Sequence, residues 1–262
     1  MLFDAHSHLD MLVQNTSNIP ALLETEIQGG LGALVQVSTD PFIHNACFPF
    51  LQASGKEVYP VCGLSPAFRG HVQESLYNLN LILRQGQLFA IGEIGLDYSR
   101  SPSAADRENQ GDLFRRQLEL AGNYNLPVVI HTRDAAEDTL RFLDEFPAIQ
   151  GMIHCFTGDA AFARALLNRG YMLSFSGVVT FANAAALREI VPWVPGDRLL
   201  VESDAPYLAP VPFRGQQNRP SWTEHTLRVI AGLRGCTFEE AAAGTAQNAR
   251  RLFREQVARL PD

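Results

Sequence analysis

Eight short apolar runs, separated by longer amphipathic ones, constrain this chain more than any other feature. They are Leu2–Ala5, Ala33–Val37, Val58–Cys62, Phe89–Gly92, Pro127–Ile130, Gly151–Ile153, Met172–Phe175 and Leu199–Val201. They lack a polar alternate face, which is the pattern of strands buried on both sides of a helix-covered parallel sheet. The segments between them place apolar residues at helical spacing, as in Phe114, Leu118 and Ala121, or Phe162, Leu166 and Leu167. Asp40-Pro41 predicts an N-cap followed by proline in the first turn. Asp134 with Glu137 has capping-box spacing. A further helix is expected to begin near Ser103, and Thr237 with Glu240 is expected to open one through Leu252 and Phe253. Eight strands alternating with helices predict an α/β fold, a (β/α)8 TIM-like barrel, as a single domain over residues 1–262. An open doubly wound sheet is the alternative, but no G-x-G-x-x-G follows a strand, so a dinucleotide site is not indicated.

Composition narrows the setting. With 262 residues and 46% hydrophobic content, the chain can bury a core of barrel size. It opens directly on a strand, so no signal peptide is expected. No apolar run approaches the ~20 residues of a membrane span. Cys47, Cys62, Cys155 and Cys236 are scattered without a C-x-x-C pair, which fits reduced thiols in a cytoplasmic protein. The formal net charge is −7. The overall field therefore gives nucleic acid no attraction, and a phosphate substrate must be drawn by local arginines or bound cations.

In a barrel of this kind, residues just past the C-terminal end of each strand face one mouth. The first strand runs out at His6-Ser-His8, whose alternation turns two imidazoles to the same side. Alone, that pair could be two solvated histidines. The fourth strand delivers Glu93, the fifth His131 and then Arg133, the sixth His154, and the eighth Glu202 and Asp204. Four histidines and three carboxylates crowded at one mouth need cations to hold them. They exceed what one tetrahedral zinc accepts, whereas two metals about 3.5–4 Å apart account for the set. Mixed nitrogen and oxygen ligation suits Zn, Mn or Fe, with Mg as a further candidate.

The stretches around His6 and His8, Gly92-Glu93-Ile-Gly-Leu-Asp97-Tyr98, Ile130-His131-Thr-Arg133, His154-Cys-Phe-Thr-Gly158 and Glu202-Ser-Asp204-Ala-Pro-Tyr207-Leu208 resemble those of the TatD family. These are metal-dependent deoxyribonucleases within the amidohydrolase-like barrels. The likeness runs in family order from the first strand to at least Pro220. It implies that His6, His8 and Asp204 bind one metal, that His131 and His154 bind the second, and that Glu93 bridges both. It also implies DNA, or another phosphate-containing substrate, as the partner. The chain departs from the family at Gly63-Leu-Ser65-Pro66, where Gly-x-His-Pro is common. Ser65 then occupies a substrate-side position and loosens the carry-over of substrate preference.

Two cations lower the pKa of a shared water to near neutrality. Asp204 is the expected proton acceptor. Glu202 is expected to orient water, hold a histidine from behind or accept the proton itself. Arg133 is the first candidate for a phosphate contact, with Arg214 and Arg219 behind it. His71, near Ser65 in sequence, is not promoted to a substitute for the absent imidazole; His44 and His225 are expected to be surface or core residues of helices, and Cys155 to be a buried thiol on the opposite face from His154. The leading reading is a deoxyribonuclease that cleaves phosphodiester bonds. The same metals would also serve ester or amide hydrolysis, for example of an aminoacyl–tRNA bond. A non-catalytic metal-binding barrel is a third reading. No obligate protein partner is evident.

Overall fold

A computed structural model of the chain describes residues 1–100 and 102–254. Eight parallel strands form one sheet in sequential order: β1 (Leu2–Ser7), β2 (Leu31–Ser38), β3 (Val58–Cys62), β4 (Ala90–Asp97), β5 (Val128–Arg133), β6 (Gly151–Ile153), β7 (Met172–Phe175) and β8 (Leu199–Val201). The sheet curls into a (β/α)8 barrel, as the eight apolar runs predict. β3, β6, β7 and β8 have the expected bounds. The end of the expected 1–262 domain lies outside the described residues.

Among the described residues nine α-helices cover the sheet: α1 (Ile19–Gln28), α2 (Pro41–Ala53), α3 (Val72–Arg84), α4 (Ala104–Tyr124), α5 (Ala136–Glu145), α6 (Ala160–Asn168), α7 (Ala185–Ile190), α8 (Thr223–Arg234) and α9 (Phe238–Arg254). Their start signals act as local chemistry dictates. The Asp40 carboxylate accepts the Phe42 N–H at 2.6 Å. Ser103 and Asp106 form a capping box at α4, and Thr237 and Glu240 form one at α9. Asp134 and Glu137 do not cap α5. That helix starts one residue after Ala135 without a side-chain cap, because Asp134 adopts φ 54° and leaves the helical path. The spacing was right, but backbone geometry took the acceptor away.

Two apolar clusters result. The larger fills the space between strands and helices. The smaller fills the barrel with Phe3, Val35, Val61, Val129 and Met172, and Phe253 and Leu252 of α9 close its lower end. The seam between β8 and β1 has no regular ladder. It is closed beyond the strand end, where the Asp204 N–H donates to the His6 carbonyl and the His8 N–H to the Ala205 carbonyl, both at 2.9 Å. Buried Asp4 reinforces the seam by accepting the Ser203 N–H at 2.7 Å and its Oγ–H at 2.5 Å. The bonds that close the barrel thus also fix the residues at its mouth.

Candidate metal centre

Elements of five strands bring the candidate ligands together. His6 ends up inside β1, which is longer than its apolar run because the His6 and Ser7 backbone joins the seam. His8 lies just beyond it, and the two Nε2 atoms converge to 3.2 Å. The His8 ring is aimed by its other nitrogen, Nδ1, which sits 2.9 Å from the Val37 carbonyl. Glu93 lies within β4 rather than past it. The β4–β5 register pairs Gly92 with Val129 and Ile94 with Ile130, which leaves Glu93 as the extra residue of a bulge. A bulge re-aims one side chain without breaking the strand. Close approach supports this: a Cβ on Gly95, at φ 134°, would collide with the His131 carbonyl oxygen.

The two oxygens of Glu93 face separate histidine groups. Oε1 is 2.9 Å from His131 Nδ1 and 3.2 Å from His154 Nε2. Oε2 is 3.8 Å from His6 Nε2. Asp204 Oδ1 completes the first group, 3.8 Å from both His6 Nε2 and His8 Nε2. Ligand atoms of His6, His8 and Glu93 cluster within 4.8 Å of one another, as do those of Glu93, His131 and His154. Imidazole nitrogens pointed at each other from 3.2 Å share one proton at most, and a cation between them satisfies both lone pairs. The donor set therefore fits divalent ions that take nitrogen and oxygen ligands.

Electrostatics agree with that fit. Burial, together with neighbouring His154 and His8, holds His6 well below its usual pKa, in the neutral form a metal requires. Burial raises Asp204 to about 6. Burial works against the charge on Glu93, but His154 and His131 outweigh it and hold the carboxyl well below its usual range. Burial likewise opposes protonation of His131 and His154. Asp97 and Glu93 nonetheless raise the first, and Glu93 and Glu202 the second. Both rings thus lean toward the protonated form, which a bound cation would oppose.

Glu202 is fully buried behind His154. Its Oε1 accepts the Cys155 N–H at 2.8 Å and faces His154 Nδ1 at 3.3 Å. Of the three roles expected for it, this geometry favours orienting His154. Arg133 ends β5 opposite Asp97, exposed at the rim. Ser65 lies half-buried on the loop after β3. Arg214 is exposed, with its guanidinium 4.3 Å from the centre of the Phe181 ring. Arg219 is not available to phosphate. Its Nη2 and Nε bond Glu26 Oε1 at 2.7 and 2.9 Å, because buried Glu26 needs a cation. Cys155 also departs from expectation. β6 stops at Ile153, so strand alternation no longer applies, and φ 42° turns Cys155 back toward the mouth. Its Sγ is 3.1 Å from Ser176 Oγ, and burial with nearby Asp204 and Glu202 pushes the thiol up. His44 is buried in α2 against Gln87, His225 packs on Phe213, and His71 precedes α3 at the surface.

Two participants had been given no role. Asp97 Oδ2 lies 3.2 Å from His131 Nε2 and holds the far side of that ring. Glu93, Gly95 and Asp97 are at i, i+2 and i+4, so shared strand-face periodicity was the available signal. Asp4, two residues before His6, accepts the His6 N–H at 3.2 Å in addition to both Ser203 donors. Nothing in the sequence signals the Ser203 contact, 199 residues away.

A (β/α)8 barrel with paired histidine–carboxylate clusters at its C-terminal mouth belongs to the class of metal-dependent hydrolases. Residues 3–254 match the TatD related DNase family, and the chain is a member of it. The Bacillus subtilis protein YabD, named an uncharacterized metal-dependent hydrolase, is 39% identical over 258 residues, covering 97% of this chain and 99% of its own. The 3'-5' ssDNA/RNA exonuclease TatD of Erwinia billingiae is 38% identical over 188 residues, 69% of this chain and 71% of that protein. The crystal structure of the Escherichia coli TatD homologue YJJV aligns with a TM-score of 0.87 at 27% identity, covering 96% of this chain and 97% of that one. No described helix is long and apolar enough to cross a membrane.

Proposed function

We propose that this TatD-type hydrolase is a two-metal deoxyribonuclease acting on single-stranded DNA. The observation that carries this reading is Glu93, one carboxylate with each oxygen turned to a different histidine group. In this reading His6, His8 and Asp204 would hold one divalent ion, His131 and His154 would hold the other, and Glu93 would serve both. Such a pair supplies a Lewis acid for the phosphoryl oxygen and a water of lowered pKa. Asp204 accepts the proton of the attacking water. Its Oδ1 faces both His6 and His8, which places the carboxylate where that water would be held. Glu202 and Asp97 hold the His154 and His131 rings in place. Arg133, exposed at the rim and opposite Asp97, contacts a phosphate oxygen, with Arg214 further out. Ser65 borders the substrate where the family's imidazole would be.

The exonuclease name of the Erwinia billingiae relative supports a nucleic-acid substrate. A cytoplasmic setting accords with four free cysteines. Ester or amide hydrolysis remains the competing chemistry for the same ligands. The test is hydrolysis by manganese- or zinc-loaded protein of a single-stranded oligonucleotide beside a panel of acyl esters that includes an aminoacyl ester. Release of nucleotides with no acyl turnover is expected. Acyl turnover alone would overturn the assignment.

A further inference from the structure

A groove lies on the β3–β4 side of the candidate centre and shares with it Asp97, the partner of His131. Its inner compartment, about 330 Å³, is lined by Pro66, Arg69, Asp97, Arg100 and Gln110 among others. An outer compartment of about 410 Å³ adds Phe68, Gln73, Asn109 and Arg116. Pro66, Arg69, Asp106 and Gln110 line both, so the two form one channel. Its inner end is tied to the catalytic strand. Gln110 accepts the Asp97 N–H at 2.9 Å and donates to the Asp97 carbonyl at 3.1 Å, while the Asp97 carboxylate reaches His131.

The acidic groups of the groove are hydrogen-bonded or ion-paired, although the serines that hold Asp97 and Asp106 leave their charge in place. Asp97 is held by His131 and Ser99, Asp106 caps α4 through Ser103, and Asp112 lies 3.8 Å from Arg116. Arg69 donates Nη1 to the Pro66 and Phe68 carbonyls at 3.2 and 2.9 Å, which fixes its guanidinium without neutralising it. Among the described residues, neither Arg69 nor Arg100 has a carboxylate oxygen within 4.0 Å. Arg69, Arg100 and Arg116 balance Asp97, Asp106 and Asp112 in formal charge along the groove, and Arg69 and Arg100, bonded by no carboxylate among the described residues, are the two cations left to meet a phosphate beside an aromatic ring and a row of amides.

We propose that this groove is a subsite for the continuing strand of a single-stranded nucleic acid. Arg69 and Arg100 bind the phosphates beyond the scissile one, and Phe68 gives a base an apolar face. Each compartment is near the lower end of small-ligand pocket volumes, a size suited to a nucleotide. The inference rests on the phosphodiesterase reading, and it gives the substrate a length preference that the metal centre alone would not.

The test compares metal-loaded wild type with an Arg69→Ala, Arg100→Ala double variant on a dinucleotide and on a single-stranded hexanucleotide. Wild type is expected to favour the hexanucleotide by about tenfold or more in kcat/KM, since one charge-assisted contact is worth that much. The double variant is expected to lose that preference, and an Arg69→Lys, Arg100→Lys variant to keep most of it. Fluorescence anisotropy of a labelled hexanucleotide on chelated protein gives an independent reading. There the alanine variant should bind at least tenfold more weakly, with a salt slope shallower by about 1.4, as two lost phosphate contacts on a single strand require. Equal length preference and equal affinity in wild type and alanine variant would overturn the subsite. Failure of all proteins to cleave either substrate would overturn the phosphodiesterase reading, and anisotropy would still decide the groove.

Discussion

Asp204 lies where the barrel seam and the metal centre meet, its N–H closing the barrel and its carboxylate facing two histidines. Asp204→Asn preserves shape but removes both the charge and the proposed proton acceptor. Turnover at saturating metal should fall by ~10²–10⁴-fold or more, with thermal unfolding in chelator changed little. A folded variant within about tenfold of wild type would contradict the assignment. His131 contacts Glu93 Oε1 but lies outside the His6–His8 group. His131→Ala should therefore weaken one of two bound ions selectively. Elemental analysis and metal titration should give two sites in wild type and one tight site in the variant; one site in both would refute the paired centre. Asp4 and Glu202 make no contact with substrate in this scheme, yet each holds a backbone or ring that the ligands depend on.

Among the helices, α2 carries a titratable group unrelated to the site. His44 is fully buried, packed on Phe48, with Nε2 3.2 Å from Gln87 Oε1 and Nδ1 without a partner. Burial lowers its pKa to about 4, against 6.5 in the unfolded chain. Between these values the unfolded chain binds more protons than the folded one. The folded state therefore has its full stability above about pH 6.5 and loses it as pH falls toward 4, by about 3 kcal/mol for a shift of this size. His44→Gln should flatten that part of the curve. Urea unfolding midpoints of wild type and variant in chelator, between pH 7 and 4, would check it; parallel curves would show that His44 is not responsible. The start of α5 teaches the converse lesson. Asp134 has the right residue type and spacing, but its φ of 54° puts it off the helix, and no cap forms.

For the molecule as a whole, four histidines and several carboxylates are gathered at the mouth, most of them buried, and the fold holds them there at an electrostatic cost. Divalent ions should offset that cost. At a hundred times Kd, each site adds about 2.7 kcal/mol, and two sites should raise the melting temperature by on the order of 10 °C. Scanning calorimetry with zinc or manganese against chelator measures this, and equal melting temperatures would mean that no ion binds the folded state selectively. Sequence alone determined the barrel, because doubly buried strands and one-faced helices leave their mark in residues close along the chain. It also named the candidate ligand types, because chemistry at strand ends appears as His, Glu and Asp after apolar runs. Tertiary structure decided what depends on distant partners. It turned Glu93 between two histidine groups through a bulge, assigned Arg219 to Glu26, and brought Cys155 round to the mouth. It joined Asp4 to Ser203 across 199 residues. Burial, register and φ are set by neighbours far along the chain, so the sequence names these residues while only the closed barrel fixes what each one touches.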